Sequence, residues 1–201
     1  MRLTVAAALC LVLAACAQGG PTPSPAADAT SSPTPDQVAS GPRFSQPPVT
    51  PPTPPVTNIP AFACADSGGG ITGVAHVTDV RVGRQVDYDR FVIQFDDAVP
   101  TYTVKRQARP TFPMGATGQT ITLSGTAGAV VTVHSATEAL TYSGPTDITH
   151  SDFPVVKEAR LTQDFEGSVT WALGLDHPAC LRTFTLANPA RLVVDFSTAT
   201  S

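Results

Sequence analysis

Tyr88-Asp89-Arg90-Phe91-Val92-Ile93-Gln94-Phe95 decides the fold class. Phe91, Ile93 and Phe95 alternate with Arg90, Val92 and Gln94, the period of two that sends successive side chains to opposite faces of a strand. One face belongs to a core and the other is mixed. On the N-terminal side, Val74, His76, Thr78, Val80 and Val82 alternate with Ala75, Val77, Asp79 and Arg81. Further β-rich runs are Thr101 to Gln107, Gln119 to Leu123, Val130 to His134, Val155 to Thr162, Ser168 to Leu175, Leu181 to Leu186 and Arg191 to Phe196. Ser67-Gly68-Gly69-Gly70 reads as a turn, Phe112 to Gly118 as a loop, and Thr146 to Phe153 as a second loop that accommodates a short turn of helix. No window sustains a 3.6 period over three turns. Nine short strands within about 125 residues predict an all-β chain, an antiparallel β-sandwich or barrel.

Upstream, the composition changes. Thirteen of the 20 prolines lie between Pro21 and Pro60, and the other seven lie in the 141 residues that follow. The stretch 17–60 is Pro, Thr, Ser, Ala and Gly with almost no aliphatic bulk, so it buries too little apolar surface to offset the entropy of ordering. It is expected to be a disordered linker, partly polyproline II, reaching on the order of 130 Å extended or roughly 40 Å as a coil. Its simplest role is a spacer; a proline-rich docking site for another module is the alternative. Net charge is -4 with two lysines and no basic run, which argues against nucleic acid or anionic lipid as partners.

The first residues read as an address. Met1 and Arg2 precede an apolar run from Leu3 to Ala15, too short to span a bilayer, which needs about 20 residues. Leu13-Ala14-Ala15-Cys16 places small residues before a cysteine and looks like a bacterial lipobox, in which the Cys16 thiol takes a diacylglycerol and the chain is cut before it. A plain secretory signal that happens to hold a cysteine is the alternative. Two or three acyl chains give stable attachment. The expected organisation is a signal peptide at 1–15, a lipidated, proline-rich stalk at 16–60 and a folded domain at 61–201, on the extracytoplasmic face of the bacterial plasma membrane.

Cys10 leaves with the signal and Cys16 takes the lipid, so Cys64 and Cys180 remain as a pair. Outside the membrane, two such cysteines usually form a disulfide, here closing a loop of over a hundred residues. Zinc is the alternative, through His177 and Cys180 with Cys64, but one H-x-x-C without a second cluster is weak.

Asp79-Val80-Arg81-Val82-Gly83, the Tyr88 to Phe95 strand, and Asn188-Pro189-Ala190-Arg191-Leu192-Val193-Val194-Asp195-Phe196 resemble the AMIN family, and more closely the AMIN-like domain of actinobacterial lipoproteins. Thr101-Tyr102-Thr103-Val104, and Asp164-Phe165-Glu166-Gly167 followed by Gly174-Leu175, fit the same pattern. The resemblance covers roughly Val74 to Phe196. It implies a β-sandwich and a non-catalytic module associated with peptidoglycan binding. Because the chain ends at Ser201, five residues past the motif, no amidase domain is expected after it.

Alternation puts Arg191, Val193 and Asp195 on one face of the closing strand and Leu192, Val194 and Phe196 in the core. If that outward face adjoins Arg90, then Arg90, Arg191 and Asp195 form a candidate patch for carboxylates or glycan hydroxyls, since the arginine fork binds carboxylates in bidentate fashion. A cross-strand Arg–Asp pair that merely solvates the sheet is the plainer reading. Tyr88, Tyr102, Tyr142 and Trp171 are candidates for stacking on sugars, or else pack half-buried. His150-Ser151-Asp152 has hydrolase letters, but sequence neighbours rarely face one another, and no G-x-S-x-G, H-E-x-x-H or phosphate-cradling loop occurs. Asp87, Asp89, Asp96 and Asp97 read as solvated turns. No enzyme activity, cofactor or metal is expected. The expected function is binding of an envelope component, peptidoglycan or a wall-associated protein; a carrier of a lipid or small apolar molecule is the alternative.

Overall fold

Strands dominate because β-branched and aromatic residues recur at every second position between Gly, Pro and Asp turns. The computed structural model describes residues 58–137 and 142–200; the expected signal segment, the expected lipidation site Cys16 and the expected stalk up to residue 57 lie outside them. Thirteen strands follow in order: β1 Ser67–Gly69, β2 Ala75–Arg84, β3 Tyr88–Phe95, β4 Tyr102–Gln107, β5 Thr111–Met114, β6 Gln119–Thr122, β7 Ala127–His134, β8 Ala136–Thr137, β9 Asp147–Thr149, β10 Val156–Phe165, β11 Ser168–Leu175, β12 Ala179–Leu186 and β13 Ala190–Thr200. No helix occurs among the described residues.

Two sheets carry the fold. One runs β1-β4-β7-β11-β10-β9 and the other β12-β13-β3-β2-β8, while β5 and β6 form a separate hairpin. All pairings are antiparallel except the short β2–β8 contact. The sheets face each other through one core, with Phe91, Ile93, Phe95, Leu192, Val194 and Phe196 from one side meeting Val104, Val131, Val133, Trp171 and Leu173 from the other. Trp171 is fully buried, its ring 5.9 Å from that of Phe91 across the sandwich. The all-β antiparallel sandwich expected from the alternation is the architecture found.

Several local expectations are corrected. Ser67–Gly69 is not a turn but an edge strand paired with β4. Phe112 to Gly118 is mostly the β5–β6 hairpin, turned by Gly115 and Gly118 at positive φ, a conformation glycine adopts without steric cost. Thr146 to Phe153 contains β9 and a single turn at Ser151 and Asp152, closed by the Phe153 N–H on the His150 carbonyl at 3.3 Å, which does not continue into a helix. In β2 the alternation changes phase: a bulge between Val77 and Asp79 lets Ala75 and Val77, and then Val80, all face the core. A two-residue turn, Glu166 and Gly167 both at positive φ, joins β10 to β11 and fixes their register.

Among the contacts that tie the sheets together are a buried carboxylate and a disulfide. Asp89, expected to be solvated, is fully buried; its Oδ2 accepts the backbone N–H groups of Val155 at 2.7 Å and Val156 at 2.8 Å, clipping β3 to the start of β10. Cys64 and Cys180 form the disulfide, fastening the segment before β1 to the edge strand β12, where Ala63 also bridges Leu181.

Candidate functional site

The outward face of the five-stranded sheet carries a charged row fixed by register. Asp195 on β13 lies between Arg182 on β12 and Arg90 on β3. Arg90 donates Nε to Asp195 Oδ1 at 2.7 Å and Nη2 to Oδ2 at 3.0 Å, a bidentate grip, and Arg182 donates Nε to Oδ2 at 2.8 Å. The hydrogen bond to Asp195 holds the Arg90 guanidinium above its ordinary range despite desolvation. Aromatic rings cover both cations: Arg182 lies 4.3 Å from the Phe62 centroid and 4.8 Å from Tyr88, and Arg90 lies 5.2 Å from Tyr88 and 5.4 Å from Phe184. Asp195 is 0% exposed, so its carboxylate cannot touch a ligand directly.

The expected trio is therefore only partly assembled. Arg90 and Asp195 meet, but Arg191 does not join them; it stands two rows away between Leu186 and Gln94, its Nε on the Pro189 carbonyl. The outward face of β13 is also more buried than alternation implied, with Val193 1% exposed. Sequence reasoning missed Arg182, Phe62 and Phe184. A hairpin signal was available for Arg182: pairing Leu186 with Arg191 across the Ala187–Ala190 connection aligns Arg182 with Asp195.

The outward face of the six-stranded sheet is of another kind. Thr103, Thr132, Thr170 and Gln163 form one row across β4, β7, β11 and β10. All four side chains are half-buried and uncharged. The hydroxyls of Thr132 and Thr170 lie 3.3 Å apart, while the side chains of Thr103 and Gln163 make no hydrogen bond among the described residues. The β5–β6 hairpin lies over the neighbouring rows. Phe112 and Leu123 pack on Ala172 in a small second core, Ser124 donates its N–H and hydroxyl to the buried Glu158 at 2.9 Å each, and Gly115 N–H reaches the Thr162 carbonyl at 2.9 Å. Glycine at 128 and 174 makes room: a Cβ at Gly128 would meet the Phe112 ring, and one at Gly174 the Ser124 carbonyl. A cavity of about 460 Å³ remains between hairpin and sheet, opening on the Thr row.

Other candidate residues have structural surroundings. Trp171 and Tyr102 are buried, Tyr142 stacks edge-on against Trp171, and His150 stacks on Phe153 at 4.0 Å. His76 Nδ1 lies 2.9 Å from Asp96 Oδ2, and the His76 N–H donates to Asp96 Oδ1 at 2.8 Å, so the Asp96 carboxyl is held below its usual range, chiefly by the backbone donor. Asp96, Asp97 and Asn188 line an open cleft of about 510 Å³ at one end of the sandwich. Cys180 is bonded to Cys64 rather than poised with His177 for a metal, and no group of three His, Cys, Asp or Glu among the described residues is placed to hold one. The space between the sheets is filled by core side chains, and the cavities open at the surface.

A sequence profile of the AMIN-like domain matches residues 75–198, from the first residue of β2 into β13. The chain belongs to the AMIN-like domain family. AMIN-like domains are generally binding modules associated with the cell envelope. Both sheet faces described above fall within the AMIN-like segment, apart from Phe62 and β1. No curated protein matches the chain significantly.

Proposed function

We propose that this chain is a lipid-anchored, non-catalytic AMIN-like module that binds a component of the bacterial cell envelope, peptidoglycan or a wall-associated protein. The observation that carries the reading is the uncharged, hydroxyl-bearing row Thr103, Thr132, Thr170 and Gln163 on the six-stranded sheet, whose side chains retain hydrogen-bonding capacity next to a cleft. Family membership points the same way. Leu13-Ala14-Ala15-Cys16 supports attachment through a diacylglycerol on Cys16, and the proline-rich stretch supports a stalk that holds the sandwich off the membrane. Tether and stalk confine the module to a shell above the extracytoplasmic face of the plasma membrane, which raises its effective concentration at the wall. A binding role without chemistry is supported by three of the four histidines: His76 is engaged by Asp96, His150 stacks on Phe153, and His177 lies 3.5 Å from Asp176.

Co-sedimentation of the full chain with purified peptidoglycan tests the reading. Retention above an albumin control is expected, and its absence, together with failure of crosslinking to any envelope protein in intact cells, overturns it. Globomycin, which blocks the lipoprotein signal peptidase, is expected to make the precursor accumulate; unchanged processing refutes the anchor at Cys16.

A further inference from the structure

The groove beside the β5–β6 hairpin has two unlike walls. Its floor is the row Thr103, Thr132, Thr170 and Gln163, and its side is the hairpin, with Pro113 exposed at the lip. Strands lie about 4.8 Å apart, so four in a row set polar groups over roughly 14 Å at right angles to the strands, a span of a few pyranose rings. Each threonine hydroxyl offers one donor and two acceptors, and the single Thr132–Thr170 contact leaves most of that capacity open. Threonine is also stiff at χ1, so the row is ordered before a ligand arrives.

Charge and backbone pairing narrow the ligand. The Thr103–Thr132–Thr170–Gln163 row carries no carboxylate, guanidinium or ammonium; Lys105 and His134, one row to either side, are the ionisable groups in the lining, so a ligand of several charges finds no matching array there. β7 and β11 are interior strands whose backbone groups are paired on both sides, so an extended peptide cannot add itself as a strand along this floor. A sugar chain needs no free backbone: its hydroxyls exchange hydrogen bonds with the row, and its C–H faces rest on the hairpin wall.

We propose that this groove binds the saccharide backbone of a neutral glycan strand, laid across β4, β7, β11 and β10. The proposal rests on the envelope-binding reading and deepens it: the sugar chain is recognised, rather than any peptide attached to it.

The test titrates the full chain in detergent with chitotetraose, a neutral N-acetylated tetrasaccharide, and with an alanine-glutamate stem peptide, alongside co-sedimentation with peptidoglycan. The chitotetraose titration is expected to saturate and the stem-peptide titration not to. The double variant T132V/T170V keeps shape and strand propensity while deleting two hydroxyls; it is expected to weaken chitotetraose binding about tenfold, with co-sedimentation falling in parallel. Arg191→Gln, on the opposite sheet, is expected to change neither, and Gln163→Ala gives a second readout in the row should the double variant fold poorly. Binding of stem peptide in place of chitotetraose overturns the proposal. So does peptidoglycan retention that T132V/T170V and Gln163→Ala leave intact, which sinks the groove while the envelope reading stands. Chitotetraose binding without peptidoglycan retention supports the groove and overturns that reading of the wall.

Discussion

The two sheets turn opposite kinds of face to solvent. On the five-stranded sheet, Asp195 is sealed beneath Arg90, Arg182 and the rings of Phe62 and Tyr88, so its charges satisfy one another. On the six-stranded sheet, threonine hydroxyls stand half-buried in an open groove with capacity to spare. Charged groups in sequence attract attention as binding residues, yet a buried carboxylate with three N–H donors is a structural fastener. The neutral row, unremarkable by residue type, is the surface a ligand can reach.

The clamp that holds the first of these faces provides the largest test. Cys64–Cys180, at a sequence separation of 116, fastens the segment carrying Phe62 to β12, which carries Arg182. Loop-closure entropy for so long a loop is roughly 4 to 5 kcal/mol, and measured losses often fall short of it. Replacing both cysteines with serine is expected to lower stability by about 3 to 4 kcal/mol in urea unfolding. A shift in midpoint under a quarter of that would mean the β12 edge is held by its hydrogen bonds alone.

The comparison itself is tested by paired substitutions. Asp195→Ala leaves two partly buried guanidiniums facing each other without a counter-charge and is expected to cost on the order of 3 kcal/mol. Thr132→Val, in the groove, is expected to stay within about 0.5 kcal/mol. If Asp195→Ala does not fold, Asp195→Asn, which keeps the shape and loses the charge, still ranks the two faces. Equal effects on thermal unfolding would erase the distinction drawn between them.

Much of this was legible in the chain, and the rest was not for identifiable reasons. Phe91, Ile93 and Phe95 announced a core face because their spacing matches the pleat, and they are all buried. Arg90 meeting Asp195 was offered only on the condition that their strands adjoin, and the β3–β13 pairing meets that condition. Arg191 was a natural third member by strand, but it stands two rows from Asp195, and the β3–β13 register sets Gln94 opposite it and Arg90 opposite Asp195. Asp89 looked like a turn residue because local sequence cannot show that the start of β10, more than sixty residues on, brings two unpaired N–H groups to it. The β5–β6 hairpin was hidden by Pro113, which demotes a strand reading, although a two-stranded hairpin away from the main sheets tolerates it. The groove requires four strands and that hairpin together, and no window of sequence contains them.

The smallest expected effect concerns the end of the sandwich, where Asp96, one of the residues lining the cleft, grips His76. Asp96 is 40% exposed, so this contact belongs with neither face: paired like the first, wet like the second. Its carboxyl is held below the usual carboxylate range, first by the His76 backbone N–H and then by the His76 ring. A carboxylate with a depressed folded-state value stabilises the protein above its unfolded-state value, and that contribution disappears as pH falls through the folded-state value. Solvent screens the interaction, so the gain is modest. Wild type is therefore expected to exceed Asp96→Asn in thermal midpoint near pH 6, with the gap narrowing below about pH 4 as Asp96 protonates. Other carboxylates titrate equally in both proteins and cancel in the difference. A gap that stays constant down to pH 3 would show that ionisation of Asp96 contributes nothing to the contact, which would overturn the reading of this pair as an electrostatic one.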